Sequence, residues 1–154
     1  MQFQDQSLGF EISLPEGWRK LFIFEQVNKN VFKTLLPPSL ADGPVLVGPE
    51  KGSIVITIQQ IHYRTPEDYH EQIRKIAEKS DLHIRKLDEI VVQKELHATV
   101  IWKKKSDDRL LKTYFIHFGK LLWSLTLLLD EEEGYYDQMI ETFDVLPLVR
   151  KMME

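Results

Sequence analysis

The chain has 154 residues, 43% of them hydrophobic and 29% charged, with a net charge of −4, which is enough apolar material for one domain around a single sizeable core. The mild acidity and the lack of any broad basic run exclude a surface built to neutralise many phosphates, so nucleic acid is not expected as a partner. With no cysteine there is no disulfide, no thiolate nucleophile and no cysteine-ligated zinc.

The opening "MQFQDQSLGFEISLP" lacks the basic and apolar regions of an export signal. The longest apolar run, Leu121 to Leu129, is about half of the ~20 residues a spanning helix needs. A soluble, cytoplasmic protein with no membrane partner is therefore expected. Leu8, Phe10, Ile12 and Leu14 alternate with Gly9, Glu11 and Ser13, the period of a strand buried on one face. Pro15 and Gly17 turn the chain, and "KLFIFEQV" repeats the alternation more weakly through Phe22 and Phe24.

From Asn28 to Gly52 the prolines 37, 38, 44 and 49 and the glycines 43, 48 and 52 predict a long irregular segment. "SIVITIQQIH" from Ser53 is apolar on both faces and rich in β-branched residues, which suits a central strand covered on both sides, with Ile56 and Ile58 buried. "TPEDYHEQIRKIAEK" predicts a helix: Thr65, Pro66 and Asp68 form its start signal, and Tyr69, Ile73, Ile76 and Ala77 its apolar stripe.

Four strand-like segments follow, "HIRKLDEIVV", "ELHATVIWKK", "RLLKTYFIHF" and "LLWSLTLLL", joined by short turns that predict an antiparallel meander. Gly119-Lys120 fits a type II′ hairpin turn. A closing helix is expected in "DEEEGYYDQMIETFDVL", capped by Asp130 and Glu133, with Tyr136, Met139, Ile140 and Phe143 buried and Pro147 as its stop. Together these elements predict an α+β fold: an α/β/α sandwich with a central, mainly antiparallel sheet of about six to seven strands and two main helices. One domain over residues 1–147 and a C-terminal tail, 148–154, complete the expectation.

"GPVLVGPE" matches a phosphate-binding loop through its two glycines, Gly43 and Gly48, yet Pro49 and Glu50 stand where the lysine and hydroxyl belong. "HEQIR" begins like a zinc-binding helix, but Arg74 occupies the position of the second ligand. His62, His97 and His117 lie on expected strands, where cross-strand polar partnership is the simplest role. Acidic residues 130–133 are explained by helix capping, and "WKKKSDDR" by a solvated turn. Trp102 and Trp123 share strand faces with apolar neighbours and are expected in the core. No metal, cofactor or catalytic residue is therefore assigned.

The order "GFEISLPEGW", a long irregular segment, the "TPEDYHEQIRKI" helix, a meander containing "YFIHFGKLLWSLTLLL" and a closing "YYDQMIETFDVL" helix resembles the PsbP-like fold family. That family includes the photosystem II extrinsic protein PsbP, a eukaryotic Ran-binding factor and bacterial relatives among which are secretion adaptors. The chain departs from it at "VVQKELHA", where many relatives carry a turn glycine. The resemblance implies a binding or assembly module more than an enzyme.

Two functions fit these residues. One is a non-catalytic protein-binding or adaptor module, whose partner meets Phe32, Leu36, Leu40, Val45 and Leu46 on the Asn28–Gly52 segment. The other is a small-ligand carrier or cryptic enzyme, with a pocket between sheet and C-terminal helix near Tyr136, Met139, Trp123 and His117.

Overall fold

A computed structural model describes residues 2–21, 26–49, 52–60, 66–129 and 133–153. The expected strand through Phe22 and Phe24, the caps at Thr65 and Asp130, and His62 lie outside the described residues. Ten strands and five helices are described: β1 (Gln2–Asp5), β2 (Phe10–Ser13), β3 (Arg19–Lys20), α1 (Gln26–Leu35), α2 (Pro38–Ala41), β4 (Val45–Val47), β5 (Ser53–Gln60), α3 (Pro66–Ser80), β6 (Leu82–Val92), β7 (Glu95–Lys104), β8 (Leu111–Phe118), β9 (Leu121–Leu128), α4 (Glu133–Ile140), β10 (Asp144–Val145) and α5 (Pro147–Met153).

Seven strands form the main sheet in the order β3-β4-β5-β9-β8-β7-β6, every neighbouring pair antiparallel. The last four strands are the expected meander. Their hairpins follow turn chemistry: Gly119 has φ +60, as the first centre of a type II′ turn requires, while Gln93 and Lys94 both adopt positive φ (51 and 68) without glycine.

Alternation along the strands sends two sets of side chains to opposite faces. One face, with Val55, Ala98, Val100, Trp102, Phe115 and Leu122, packs under α1, α2 and α3 through Phe32, Leu40, Tyr69 and Ile73. The other, with Ile54, Ile56, Tyr114, Trp123, Leu125 and Leu127, is covered by α4 and by a second, three-stranded sheet in the order β1-β2-β10. That second cover is richer in strand than the expected helical layer. Trp102 and Trp123 are both core, as their strand faces suggested.

Polar groups on the doubly covered strands pair with each other. Thr57 meets Ser124 across β5 and β9, Thr113 meets Thr126 at 2.9 Å, and Trp102 Nε1 donates to Thr113 at 3.1 Å. Under α4, the buried Lys112 ammonium lies 3.0 Å from Asp137, which also accepts from the Tyr114 hydroxyl.

Within the segment expected to be irregular, residues 28–49 form regular elements, and their punctuation explains why. The proline run begins only at Pro37, so residues 26–35 are free to form a helix, with Phe32, Leu35 and Leu36 at the i, i+3, i+4 spacing of a buried stripe. Pro37 is extended and Pro38 opens α2. Val45–Val47 is β4, paired with Val55, Ile54 and Ser53. A Cβ at Gly43 would fall 1.8 Å from the Ile56 carbonyl oxygen, so this glycine serves a close backbone crossing onto β5. The fragment that resembles a phosphate loop is therefore a sheet strand and its entry.

Two further expectations are corrected at the C-terminus. The closing helix ends at Ile140, with Phe143 buried beyond it, and Pro147 starts α5 instead of stopping a helix, because proline suits a first helical turn. Residues 148–153 are thus not a tail: α5 packs Val149 against the core and pairs Arg150 with Asp144 at 2.5 Å. Of the two isoleucines expected to be fully buried on β5, Ile56 is, whereas Ile58 is only partly covered.

Core packing yields two expectations. Ile56→Ala, Leu40→Ala and Leu46→Ala should each lower the unfolding free energy by about 2–5 kcal/mol, with Ile58→Ala losing less, as measured by denaturant melts. Asp137→Ala should cost about 3 kcal/mol, because it takes the carboxylate away from a buried ammonium; a melt unchanged from wild type would show that the pair does not hold α4.

Candidate functional site

Pairing between β7 and β8 runs from Trp102↔Leu111 to Ala98↔Phe115 and stops there, although both strands continue, β7 into its hairpin with β6 and β8 into its hairpin with β9. Beyond that point the ladder is replaced by a side chain: the backbone N–H of His117 donates to His97 Nδ1 at 3.3 Å. The two imidazoles meet Nδ1 to Nδ1 at 3.2 Å, with ring centroids 4.7 Å apart in an edge-on arrangement. Since His97 Nδ1 accepts from the backbone, the proton between the rings resides on His117. On its other side His117 stacks on Tyr69 of α3 at 5.3 Å.

The parting of β7 and β8 opens a cleft of about 360 Å³. The β6–β7 hairpin supplies Val92, Gln93, Glu95 and His97 to it, and β8 with its turn supplies Ile116, His117, Phe118 and Gly119. The third side comes from Phe143, Asp144 and Val145, with Arg150 of α5 at the mouth. Gln93 Nε2 donates to the Phe143 carbonyl at 3.0 Å, which ties the hairpin turn to the segment opposite. The Arg150 guanidinium lies 4.8 Å from the centre of the Phe118 ring.

Burial holds His97 down to about 4 from 6.5, helped by the neighbouring His117 and opposed by its hydrogen bond to the Val92 backbone. His117 is lowered too, by burial first, against the raising influence of Glu95. Both rings are therefore neutral near neutral pH, and His97 must be, since its Nδ1 is the acceptor of the shared hydrogen bond.

Phe32, Leu36, Leu40, Val45 and Leu46, expected to face a partner, are 0, 6, 0, 2 and 1% exposed. This corrects the expectation of an outward patch: the helical stripe and the strand alternation turn these side chains inward. Leu36 alone reaches a surface hollow of about 310 Å³, with Lys33, Pro38, Ala41 and Asp42. Of the residues expected around a carrier pocket, Tyr136, Met139 and Trp123 are packed in the core, and only His117 lines the cleft.

Other charged motifs are engaged locally. His70 of α3 lies 3.3 Å from the Asp88 carbonyl of β6. In the β7–β8 loop Arg109 grips Asp107 through Nε and Nη2 at 3.0 and 2.8 Å, and Lys103 donates to the Asp107 carbonyl. No group of three or more His, Asp or Glu side chains gathers as a metal site among the described residues. No described helix is long and apolar enough to cross a membrane.

A meander sheet closed on one side by helices and on the other by a small sheet and a C-terminal helix defines an α+β scaffold with one split edge of pairing. No protein-family model and no curated protein matches the chain. Among solved structures it is similar to the solution structure of cyanobacterial PsbP (CyanoP) from Synechocystis sp. PCC 6803, with a TM-score of 0.62 and 13% identity over 94% of this chain and 91% of that one. The chain has the PsbP-like fold.

The buried, neutral His97 predicts a pH dependence of stability. With a folded pKa below the unfolded one, the unfolded chain binds more protons between pH 4 and 6.5, so the contribution is complete above 6.5 and lost as pH falls towards 4. It amounts to about 3 kcal/mol. Denaturant melts across this range should show a shallower slope for His97→Asn than for the wild type; equal slopes would remove the assignment.

Proposed function

We propose that the protein is a non-catalytic protein-binding or adaptor module that receives its partner at the cleft between the two meander turns. The observation that carries this reading is that the imidazoles and the amide of the cleft are engaged within the protein, His97 with His117 and Gln93 with the Phe143 carbonyl, while Arg150 gives Asp144 one atom pair. What is left to a visitor is an apolar wall inside a polar mouth, an arrangement that favours binding over proton transfer. The PsbP-like fold supports a binding role as an analogy of architecture. A cytoplasmic location belongs to the same reading, and cell fractionation would check it.

The cleft volume of about 360 Å³ also falls within the range of small-ligand sites, and it favours a carrier as the second reading. Photo-crosslinking separates the two. A crosslinking residue at Lys94 or Lys120, in the turns beside the cleft, should trap a discrete protein in the native host, whereas one at Lys33 or Glu78, on the helices covering the opposite sheet face, should not. Phe118→Ser should weaken the trapped complex by about tenfold or more and leave the melting temperature within a few degrees. Equal crosslinking from all four positions, or binding indifferent to Phe118, would move the interface elsewhere.

A further inference from the structure

The cleft has a chemical preference built into its mouth. Arg150 contacts Asp144 through one atom pair, Nη2 to Oδ1 at 2.5 Å, and that carboxylate oxygen also accepts the Val145 N–H at 2.9 Å. Asp144 is thus a strut that aims the guanidinium. Nε and Nη1 of Arg150 meet no protein acceptor among the described residues, and the side chain is 42% exposed. A guanidinium presents five donors in a planar fork, so most of this one remains available to a second carboxylate.

The surroundings carry charges of both signs. Lys94 and Lys120 are exposed in the two turns that bound the cleft. Against Arg150, Lys94 and Lys120 stand Glu95, the already engaged Asp144 and Glu11, the cross-strand partner of Asp144 on β2, so the cations and anions around the mouth balance. The preference for an anion is therefore carried by the open donors of Arg150 itself, not by an excess of positive charge around it. Directly beneath the guanidinium lies the Phe118 ring, 4.8 Å away, which continues into Ile116, Val92 and Val145. The exposed Leu148 and Met152 of α5 stand two positions either side of Arg150, hence on a different flank of the helix, and are not part of this surface.

A ligand that satisfies both features carries an apolar group and a carboxylate within about 5 Å of each other, the span from the guanidinium to the ring beneath it. Adjacent residues inside an extended peptide do not, because their side chains point to opposite sides. A C-terminal residue does, since its carboxylate and side chain share one Cα. We propose that the cleft captures the apolar C-terminal residue of a partner chain, its side chain among Val92, Ile116 and Phe118 and its α-carboxylate on Arg150. The volume, near the lower end of ligand sites, suits one large side chain better than a helix. This rests on the binding-module reading and specifies the chemistry of its partner.

The test uses the full ¹⁵N-labelled chain and three probes: a short acetylated peptide ending in Leu with a free carboxylate, the same peptide amidated, and octanoate. The free-carboxylate peptide should shift the amides of Gln93, His117, Gly119 and Val145 and bind about tenfold or more tighter than its amide. Arg150→Gln should erase that preference while weak apolar binding persists. Arg150→Lys, which keeps the charge, should retain part of it and covers the case in which the glutamine variant fails to fold. Equal binding of acid and amide at the cleft would overturn the carboxylate assignment and leave the binding module standing. Octanoate matching the peptide would overturn the peptide in favour of a free acid. No cleft shift with any probe would overturn this proposal, while the crosslinking experiment would still decide the module reading separately.

Discussion

Burial of the main sheet on both faces is the constraint from which the other features follow. When helices cover one side and a second sheet with α4 covers the other, the inner strands keep no solvent-facing row on which polar residues can be placed freely. Each side chain must be apolar or find a partner inside. The strands obey it closely: Trp123, Leu125 and Leu127 face one core, Leu122 the other, and the hydroxyls between them pair as Thr57–Ser124 and Thr113–Thr126. Lys112 is admitted with Asp137 of α4 set against its ammonium.

The cleft is a local exception to the same rule. Where β7 and β8 part, the backbone N–H of His117 loses its ladder partner, and a buried unpaired N–H is costly. His97 supplies the acceptor from its ring. Two histidines are then held neutral in the sheet, and the gap they bridge becomes a place where the doubly buried sheet is reached by way of its own parted strands. Site and fold are in this sense one problem: the residue that repairs the ladder is also a wall of the cleft.

Periodicity made α3 and the four meander strands legible in the sequence, because Tyr69, Ile73 and Ala77 recur at helical spacing and the strand segments are separated by recognisable turns. The Gln26–Val47 region was not legible. Its prolines and glycines punctuate rather than dissolve structure: they fall between α1, α2 and β4, and the apolar residues expected on an exposed loop are the core contacts of those short elements. Pro147 misled in the same manner, since proline marks a helix start as readily as an end. The His97–His117 encounter depends on the register of β7 against β8. The connection between those strands, residues 105–110, reads as a solvated turn but not as a two-residue hairpin type that fixes a register, so strand placement brings the two histidines into the same sheet without setting them side by side.

The three-stranded sheet joins the two ends of the described chain. β2 lies between β1 and β10, and Phe10 stacks on Phe143 at 5.3 Å. During synthesis the β1–β2 hairpin leaves the ribosome ahead of the other elements of the domain, on the order of ten seconds before residues 143–145 follow it. Throughout that interval Phe10 and Ile12 lack the partners that bury them. The main sheet is also incomplete, because β5 pairs with β9 only after α3 and the three strands between them have been made. The N-terminal hairpin is therefore a late-completed piece of the fold despite being made first. A nascent chain stalled before β10 would present an adhesive apolar hairpin to chaperones, which makes a late two-residue strand the latch for an early hairpin.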